Sequence, residues 1–253
     1  MKRVKLIIAY DGTNYCGWQI QINGITVEEV LNKAISELTG VETAVIGASR
    51  TDSGVHAMGN VAVFDTESKI PGEKFSFALN QRLPNDIRIQ KSEEVPLEWH
   101  PRFCNSTKTY EYKILNRKFD MPTQRLYTHF VYMPLNVEKM KEAAKQMGEE
   151  IEIQALPIAE CSSVINEVDI VLLGPQVRFQ KPQVDDDVIS IIISGNGFLY
   201  NMVRIIVGTL IKVGLGVYPP EYVKEIIEAK DRNAAGPKAP ACGLMLVKID
   251  YED

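Results

Sequence analysis

The sequence has few of the residues that bind metals or form disulfides. Its 253 residues include four cysteines, no two of them in a Cys-x-x-Cys pair, and only three histidines. Neither residue type shows the spacing of a zinc site or of a disulfide framework. We therefore expect the cysteines to be reduced and structural, and we expect no metal site.

Long apolar runs are absent as well. No stretch of about 18 apolar residues is free of charge, so we expect no membrane-spanning helix. The basic N-terminus precedes an apolar run that is too short for a secretion signal, which favours a cytoplasmic protein. Apolar residues still make up 45% of the chain, enough for a sizeable core.

Positive charge is also scarce. The chain has 28 Lys and Arg against 33 Asp and Glu, for a formal net charge of −5. This balance argues against a protein that coats nucleic acid non-specifically, because affinity for the backbone comes from Lys and Arg that neutralise phosphates. It does not exclude a local basic cleft.

Hydrophobic patterning predicts an α+β protein made of two α/β subdomains, residues 1–104 and 105–253. No linker rich in Gly, Ser or Pro separates them, so their mixed, largely antiparallel sheets should pack together around a central cleft. Alternation predicts strands at 2–9, 43–48, 60–64, 86–90, 108–115, 188–194 and 244–249. Helical spacing predicts helices from Thr26 to Gly40 and at 72–82, 136–147, 198–213 and 220–230.

A polar loop, residues 49–57, lies between two of the predicted strands. It reads Ser-Arg-Thr-Asp-Ser-Gly-Val-His-Ala and brings Arg50, Asp52, Gly54 and His56 close together in sequence. Such a density of polar groups is typical of a functional site. Spacing alone is equally consistent with an ordinary turn, because Asp, Ser and Gly all favour turns.

The predicted helix at 198–213 is apolar around nearly its whole circumference and should be buried. Arg204 lies in its middle, and an unpaired buried charge costs several kcal/mol or more. The Asp52 carboxylate would satisfy Arg204 and would itself be held ionised, as a nucleophile must be. A structural Glu as partner, or a side chain that reaches solvent, remains an alternative.

Several segments together resemble the tRNA pseudouridine synthase A family. They follow the family order over residues 6–148 and again from about residue 185 onward, and the Arg-Thr-Asp-x-Gly-Val-His run is close to diagnostic. The matching segments are 10–19, 50–57, 83–87, 100–103, 108–112, 201–204 and 243–247.

The resemblance implies the pseudouridine synthase fold and a catalytic group of three residues. Asp52 would be the catalytic aspartate, Arg204 its ion-pair partner, and Tyr110 the tyrosine that stacks on the target base and moves the C5 proton. In the implied reaction a uridine is flipped out, Asp52 attacks, the N1–C1′ bond breaks, and the uracil turns and rejoins through C5. Tyr112 is expected to be a strand residue.

The resemblance also implies how the substrate is held. Arg50, His56 and Arg102 would contact RNA or order loops, and Leu244 would form an apolar wall of the uracil pocket. The partner would be tRNA, with uridines 38 to 40 of the anticodon arm as targets and a homodimer as the working form. This chemistry requires no cofactor and no metal.

Some positions depart from the family pattern. Ser49, Ser53 and Asn60 stand where Gly, Ala and Gln are usual. A longer departure covers residues 149–184, of which 150–184 resemble part of a lactose/cellobiose-type phosphotransferase IIB domain. The phosphate loop of that domain is missing, so we expect no phosphotransfer and no phosphocysteine at Cys161.

Two alternatives to an active synthase remain at this point. The atypical segment at 149–184 leaves room for a catalytically impaired, RNA-binding paralogue of the family. A hydrolase that works through carboxylates would need a second acid placed beside Asp52, and no such pair is apparent in the sequence.

Overall fold

One sheet contains strands from both halves of the chain. The computed structural model describes residues 1–147, 151–156 and 187–252. Its strands are β1 Lys2–Tyr10, β2 Ile46–Gly47, β3 His56–Thr66, β4 Ile87–Val95, β5 Ser106–Asn116, β6 His129–Val131, β7 Ile151–Leu156, β8 Val188–Gly195 and β9 Leu244–Tyr251. They are ordered β4-β1-β3-β9-β5-β8-β7, with β2 beside β3 and β6 beside β5. The pairing is mostly antiparallel, which confirms the predicted α+β class.

Five α-helices accompany the sheet in the described residues. They are α1 Val27–Thr39, α2 Phe75–Asn80, α3 Val137–Met147, α4 Met202–Gly214 and α5 Tyr222–Ala229. The caps predicted for α1 are confirmed, since the Thr26 side chain accepts from the Glu29 N–H and Gly40 has a left-handed backbone. No helix in the described ranges is long and apolar enough to cross a membrane.

Several of the predicted boundaries are wrong. The strand predicted at 43–48 is only Ile46–Gly47, and the strand predicted at 86–90 runs from Ile87 to Val95. The helix predicted from residue 198 begins only at Met202, because Asn201 has a φ of 60° and cannot continue a right-handed helix. The predicted helix at 72–82 divides into a short 3-10 turn, Gly72–Lys74, and α2. Strand β3 starts at His56, inside the predicted loop.

The strands of the two halves meet at a short parallel contact. β3 and β9 pair in parallel through His56 with Met245 and Ala57 with Leu246. The predicted sheets therefore join into one, and the division at residue 104 stays a prediction. Because this contact directly follows the polar loop, that loop lies beside the start of β9.

Much of the atypical segment at 149–184 falls outside the described residues. Its residues 151–156 form β7, which pairs antiparallel with β8. Cys161 and the rest of the segment that resembles a phosphotransferase domain lie outside the described ranges, so that resemblance stays a prediction.

Helix α4 packs tightly against residues 236–244, a segment that we call the strap. The backbone of Gly208 lies so close to the strap that a Cβ there would overlap the carbonyl oxygen of Pro237. The Gly236 N–H also donates to Thr209 Oγ1 at 2.9 Å. Glycine at position 208 is thus required by the approach of two backbones.

We expect Gly208→Ala to lower the free energy of unfolding by about 1–3 kcal/mol, because the strap must move aside. Helix propensity alone would favour alanine by about 1 kcal/mol, so the sign of the change identifies packing as the cause. Urea denaturation measures it. Gly197→Ala, where an added Cβ meets open space, is the matched control. Equal denaturation midpoints for the two variants would contradict the close approach.

Candidate active site

A cleft of about 810 Å³ opens where the polar loop, β5, β9 and the start of α4 come together. Residues from both halves of the chain line it. Of the residues singled out from the sequence, those that line the cleft are Arg50, Asp52, Arg102, Tyr110, Arg204 and Leu244. The structure therefore brings together all of them except His56.

The predicted ion pair between Arg204 and Asp52 is present. Arg204 Nη1 lies 3.1 Å from Asp52 Oδ2, and the two side chains are only 10% and 16% exposed. Arg204 belongs to the first turn of α4 rather than to its middle, because the helix starts later than predicted. A helix N-terminus favours a carboxylate and disfavours a cation, so the partner that stabilises Arg204 there is Asp52.

The two charged groups differ in how completely they are held. Arg204 Nε donates to the Ala239 carbonyl at 2.7 Å, which fixes the plane of the guanidinium. Asp52 Oδ2 receives Arg204, whereas Oδ1 has no hydrogen-bond donor among the described residues. Asp52 lines the cleft, with one carboxylate oxygen restrained by Arg204 and the other without a donor in the described residues.

A buried hydrogen-bond network holds the loop that carries Asp52. The fully buried Asn60 amide donates to the Ser49 carbonyl at 3.1 Å and to the Tyr10 hydroxyl at 3.3 Å. The Tyr10 hydroxyl lies 2.7 Å from Thr51 Oγ1, and the backbone N–H of Trp18 donates to the Thr51 carbonyl. Hydrogen bonds therefore fix Thr51 and Ser49, which precede Asp52 by one and three positions, and so restrain the loop that carries the carboxylate.

Tyr110 faces the cleft from β5. Its hydroxyl lies 2.9 Å from Ser49 Oγ, and its ring meets Phe198 edge-on with centroids 5.3 Å apart. Burial raises the pKa of the Tyr110 phenol, and the nearby Asp52 charge adds to the effect, whereas the bond to Ser49 opposes it. The hydroxyl therefore stays protonated at neutral pH.

Three cations line one wall of the cleft. Arg102 Nε donates to the Gly47 carbonyl at 2.7 Å, and Lys108 Nζ donates to the Ala48 carbonyl at 3.3 Å. Arg50 is exposed. None of the three forms a salt bridge with a carboxylate in the described residues, so the wall is locally positive despite the negative net charge.

Lys108 lines the cleft and belongs to the matching segment 108–112, but it was not singled out there as a site residue. Burial lowers the pKa of Lys108, and the charge of Arg102 lowers it further. The signal that could have found it is alternation, because residues two apart on a strand share a face and Lys108 precedes Tyr110 by two positions. Phe198 was likewise missed, since it was assigned to a helix.

His56 lies beneath the cleft and does not line it. The ring is 2% exposed, and its Nδ1 accepts from the Gly12 N–H at 3.1 Å. The other ring nitrogen, Nε2, lies 2.9 Å from the Leu126 carbonyl oxygen. Asp11 Oδ1 approaches Nδ1, and the Tyr127 hydroxyl donates to Asp11. Of the two roles expected for His56, the geometry favours loop ordering over contact with RNA.

Leu244 begins β9 and is 5% exposed at the edge of the cleft. It pairs with Tyr112 of the neighbouring strand β5. An apolar side chain at this place suits the expected wall against a base.

Within the described residues, no group of three or more His, Cys, Asp and Glu side chains is arranged to hold a metal ion. Cys16, Cys104 and Cys242 are free thiols.

The buried pair generates a prediction about stability. Arg204→Ala should lower the free energy of unfolding by about 3–5 kcal/mol, because it leaves the Asp52 carboxylate without its partner. The double variant Asp52→Ala/Arg204→Ala should recover part of this loss. Urea denaturation of the unmutated protein, the two single variants Asp52→Ala and Arg204→Ala, and the double variant gives the coupling free energy between Asp52 and Arg204.

A surface pair provides the control for this cycle. Lys224 and Glu228 on α5 are 3.9 Å apart and 70% and 67% exposed. Their coupling should not exceed about 0.5 kcal/mol. A coupling between Asp52 and Arg204 that is equally small would show that the buried pair does not hold the two halves together.

Comparisons with known proteins show the family to which the chain belongs. A family model described as tRNA pseudouridine synthase matches residues 6–104 and 138–252. The tRNA pseudouridine synthase A of Thermoanaerobacter sp. strain X514 is 48% identical over 251 residues, which cover 99% of this chain and 100% of the relative. The protein of the same name from Ruminiclostridium cellulolyticum is 47% identical over 253 residues, with the same two coverages. The chain belongs to the tRNA pseudouridine synthase family.

Proposed function

We propose that this chain isomerises uridine to pseudouridine in tRNA, with Asp52 as the nucleophile. The observation that carries the proposal is the Asp52 carboxylate, which Arg204 holds at 3.1 Å through one oxygen and which lines the same cleft as Tyr110. Membership of the family and relatives named tRNA pseudouridine synthase A support the same reaction.

In the proposed reaction the target uridine leaves its stack and enters the cleft. Asp52 attacks the nucleoside, and the N1–C1′ bond breaks. The uracil then turns and its C5 bonds to C1′, while N1 gains a proton, C5 loses one, and the Asp52 carboxylate is released. Arg204 orients the carboxylate before attack and pairs with its charge again on release.

Tyr110 supplies the surface on which the flipped base stacks. Stacking of a base on an aromatic ring contributes about 1–3 kcal/mol, comparable with the few kcal/mol needed to unstack the uridine. Phe198 supports the ring edge-on, and the bond to Ser49 fixes the hydroxyl. We propose that the neutral Tyr110 hydroxyl lies near C5 of the flipped uracil, the atom from which a proton must leave.

The remaining cleft residues would hold the rest of the RNA. Arg50, Arg102 and Lys108 provide cations that have no carboxylate partner among the described residues, as phosphate contacts require. Leu244 closes the pocket on its apolar side. By resemblance to the family, we extend the proposal to uridines 38 to 40 of the anticodon arm, to a homodimer that holds one tRNA jointly, and to action in the cytoplasm.

The division of labour between the halves is also part of the proposal. Residues 1–104 would form an N-terminal domain that carries the nucleophile, and residues 105–253 a C-terminal domain that carries Tyr110 and Arg204. A hydrolase is not supported, since Asp52 is the one carboxylate among the described residues that line the cleft.

The proposal is tested with tRNA transcripts that carry tritium at C5 of uridine. The unmutated protein should release tritium, and Asp52→Ala should lose activity by on the order of 10⁴-fold or more while it still binds RNA. Asp250→Asn, which changes an exposed carboxylate on β9, is the matched control and should keep full activity.

Two outcomes would count against the proposal. Stoichiometric RNA binding without tritium release from the unmutated protein would indicate the impaired RNA-binding paralogue instead. Free uracil among the products would indicate cleavage without rejoining, and hence a hydrolase.

The basic wall generates a second prediction. Lys108→Gln should weaken RNA binding and reduce the slope of log affinity against log salt by roughly 0.7, the value for one phosphate contact on a single strand. Fluorescence anisotropy at several salt concentrations measures it. Lys224→Gln, an exposed lysine on α5, should leave the slope unchanged. The same slope in all three proteins would exclude Lys108 as a phosphate contact.

A further inference from the structure

The strap, residues 236–244, holds Arg204 by two opposed hydrogen bonds. The Ala239 carbonyl accepts from Arg204 Nε at 2.7 Å, and the Ala239 N–H donates to the backbone carbonyl of Arg204 at 3.0 Å. One strap residue thus determines both the place of the Arg204 backbone and the plane of its guanidinium. The direction in which Nη1 faces Asp52 follows from the position of Ala239.

Tyr112 fastens the strap to the sheet. Its side chain is fully buried on β5, and its hydroxyl donates to the Pro240 carbonyl, next in sequence to Ala239, at 2.8 Å. Gly243 lies against its ring, where an added Cβ would come within 2.7 Å of the ring carbons. Strand pairing also places Tyr112 opposite Leu244, the last residue of the strap.

The strap touches the other parts of the candidate site as well. A Cβ on Gly54, two residues after Asp52, would lie 3.3 Å from the Cβ of Ala241. Leu244 ends the strap at the wall of the cleft. A shift of the strap would therefore change the setting of Arg204, of the Asp52 loop and of the apolar wall together.

We propose that Tyr112 is a positioning residue for the reaction: through Pro240 and Ala239, its hydroxyl sets the orientation in which Arg204 meets Asp52. This inference rests on the proposed function. A misplacement of about 1 Å among catalytic groups reduces rates about 10²-fold. Tyr112 can therefore affect turnover through the position of Arg204 without contacting the substrate.

The chemical state of Tyr112 suits this role. Burial raises the pKa of the phenol far above its usual value. The hydroxyl therefore stays protonated, and remains a donor to Pro240, over the whole pH range in which RNA is handled. The contact has no acid–base role of its own and acts through geometry.

Kinetics on C5-tritiated tRNA transcripts test the proposal. Tyr112→Phe should lower kcat about tenfold, the change that follows from losing one hydrogen bond of ordinary strength, while KM and RNA affinity stay within about twofold. Tyr251→Phe is the matched control, because Tyr251 also donates to a proline carbonyl, that of Pro101, at 3.0 Å. It should keep kcat within about twofold. Equal kcat in Tyr112→Phe and the unmutated protein would overturn the proposal.

A double-mutant cycle separates positioning through Arg204 from a general loss of packing. Arg204→Lys keeps a positive charge but lacks the Nε–H that Ala239 accepts. In that background Tyr112→Phe should change kcat less than about twofold, because the orienting contact is already broken. The same tenfold loss in both backgrounds would show that Tyr112 acts independently of Arg204.

A measurement without turnover keeps this inference distinct from the proposed function. The same four proteins should show non-additive urea denaturation midpoints if Tyr112 and Arg204 are coupled through the strap. Absence of tritium release from the unmutated protein would remove the proposed function, while the denaturation cycle would still decide the coupling. Additive midpoints would overturn the coupling itself.

Discussion

The ion pair between Asp52 and Arg204 is the interaction on which the rest of the site depends. Its partners are 152 positions apart in sequence, and both are largely withdrawn from water. Such a pair is favourable only when geometry and supporting hydrogen bonds are good, because each charge has lost its hydration. The buried network below Asp52 and the strap beside Arg204 provide this support from opposite sides. The pair therefore requires both halves of the chain to be folded and in register before either charge is satisfied.

The distribution of charge matters more in this protein than its total. A net charge of −5 argues against general affinity for nucleic acid, yet one wall of the cleft carries Arg50, Arg102 and Lys108 without carboxylate partners in the described residues. Cations gathered in a cleft of a chain with negative net charge favour binding of an anion at one place over coating of the surface. Composition argued against coating of the surface, whereas binding at one place could be inferred only from the arrangement of residues.

The sequence predicted two kinds of feature: elements with a regular hydrophobic period, and contacts without which a buried charge would be unpaired. Helix α1 with its caps follows from pattern, and a partner for Arg204 follows from the penalty on unpaired buried charge. The start of α4 could not be predicted, because a left-handed backbone at Asn201 is rare for a residue other than glycine and leaves no mark on the apolar period. The approach of Gly208 to Pro237 and the burial of His56 are tertiary facts, which neither period nor motif encodes.

The position of β9 has a consequence for how the molecule is made. This strand, the latest in chain order among those described, lies between β3 and β5 in the middle of the sheet. When synthesis has reached residue 243, the chain contains the strands of two separate half-sheets, β4-β1-β3 and β5-β8-β7, but not the strand that joins them. The contacts that close the sheet are among the most distant in sequence, and such contacts form late and slowly. Synthesis of β9 is then the event that joins the two half-sheets, so chains that stop before β9 would not assemble the cleft.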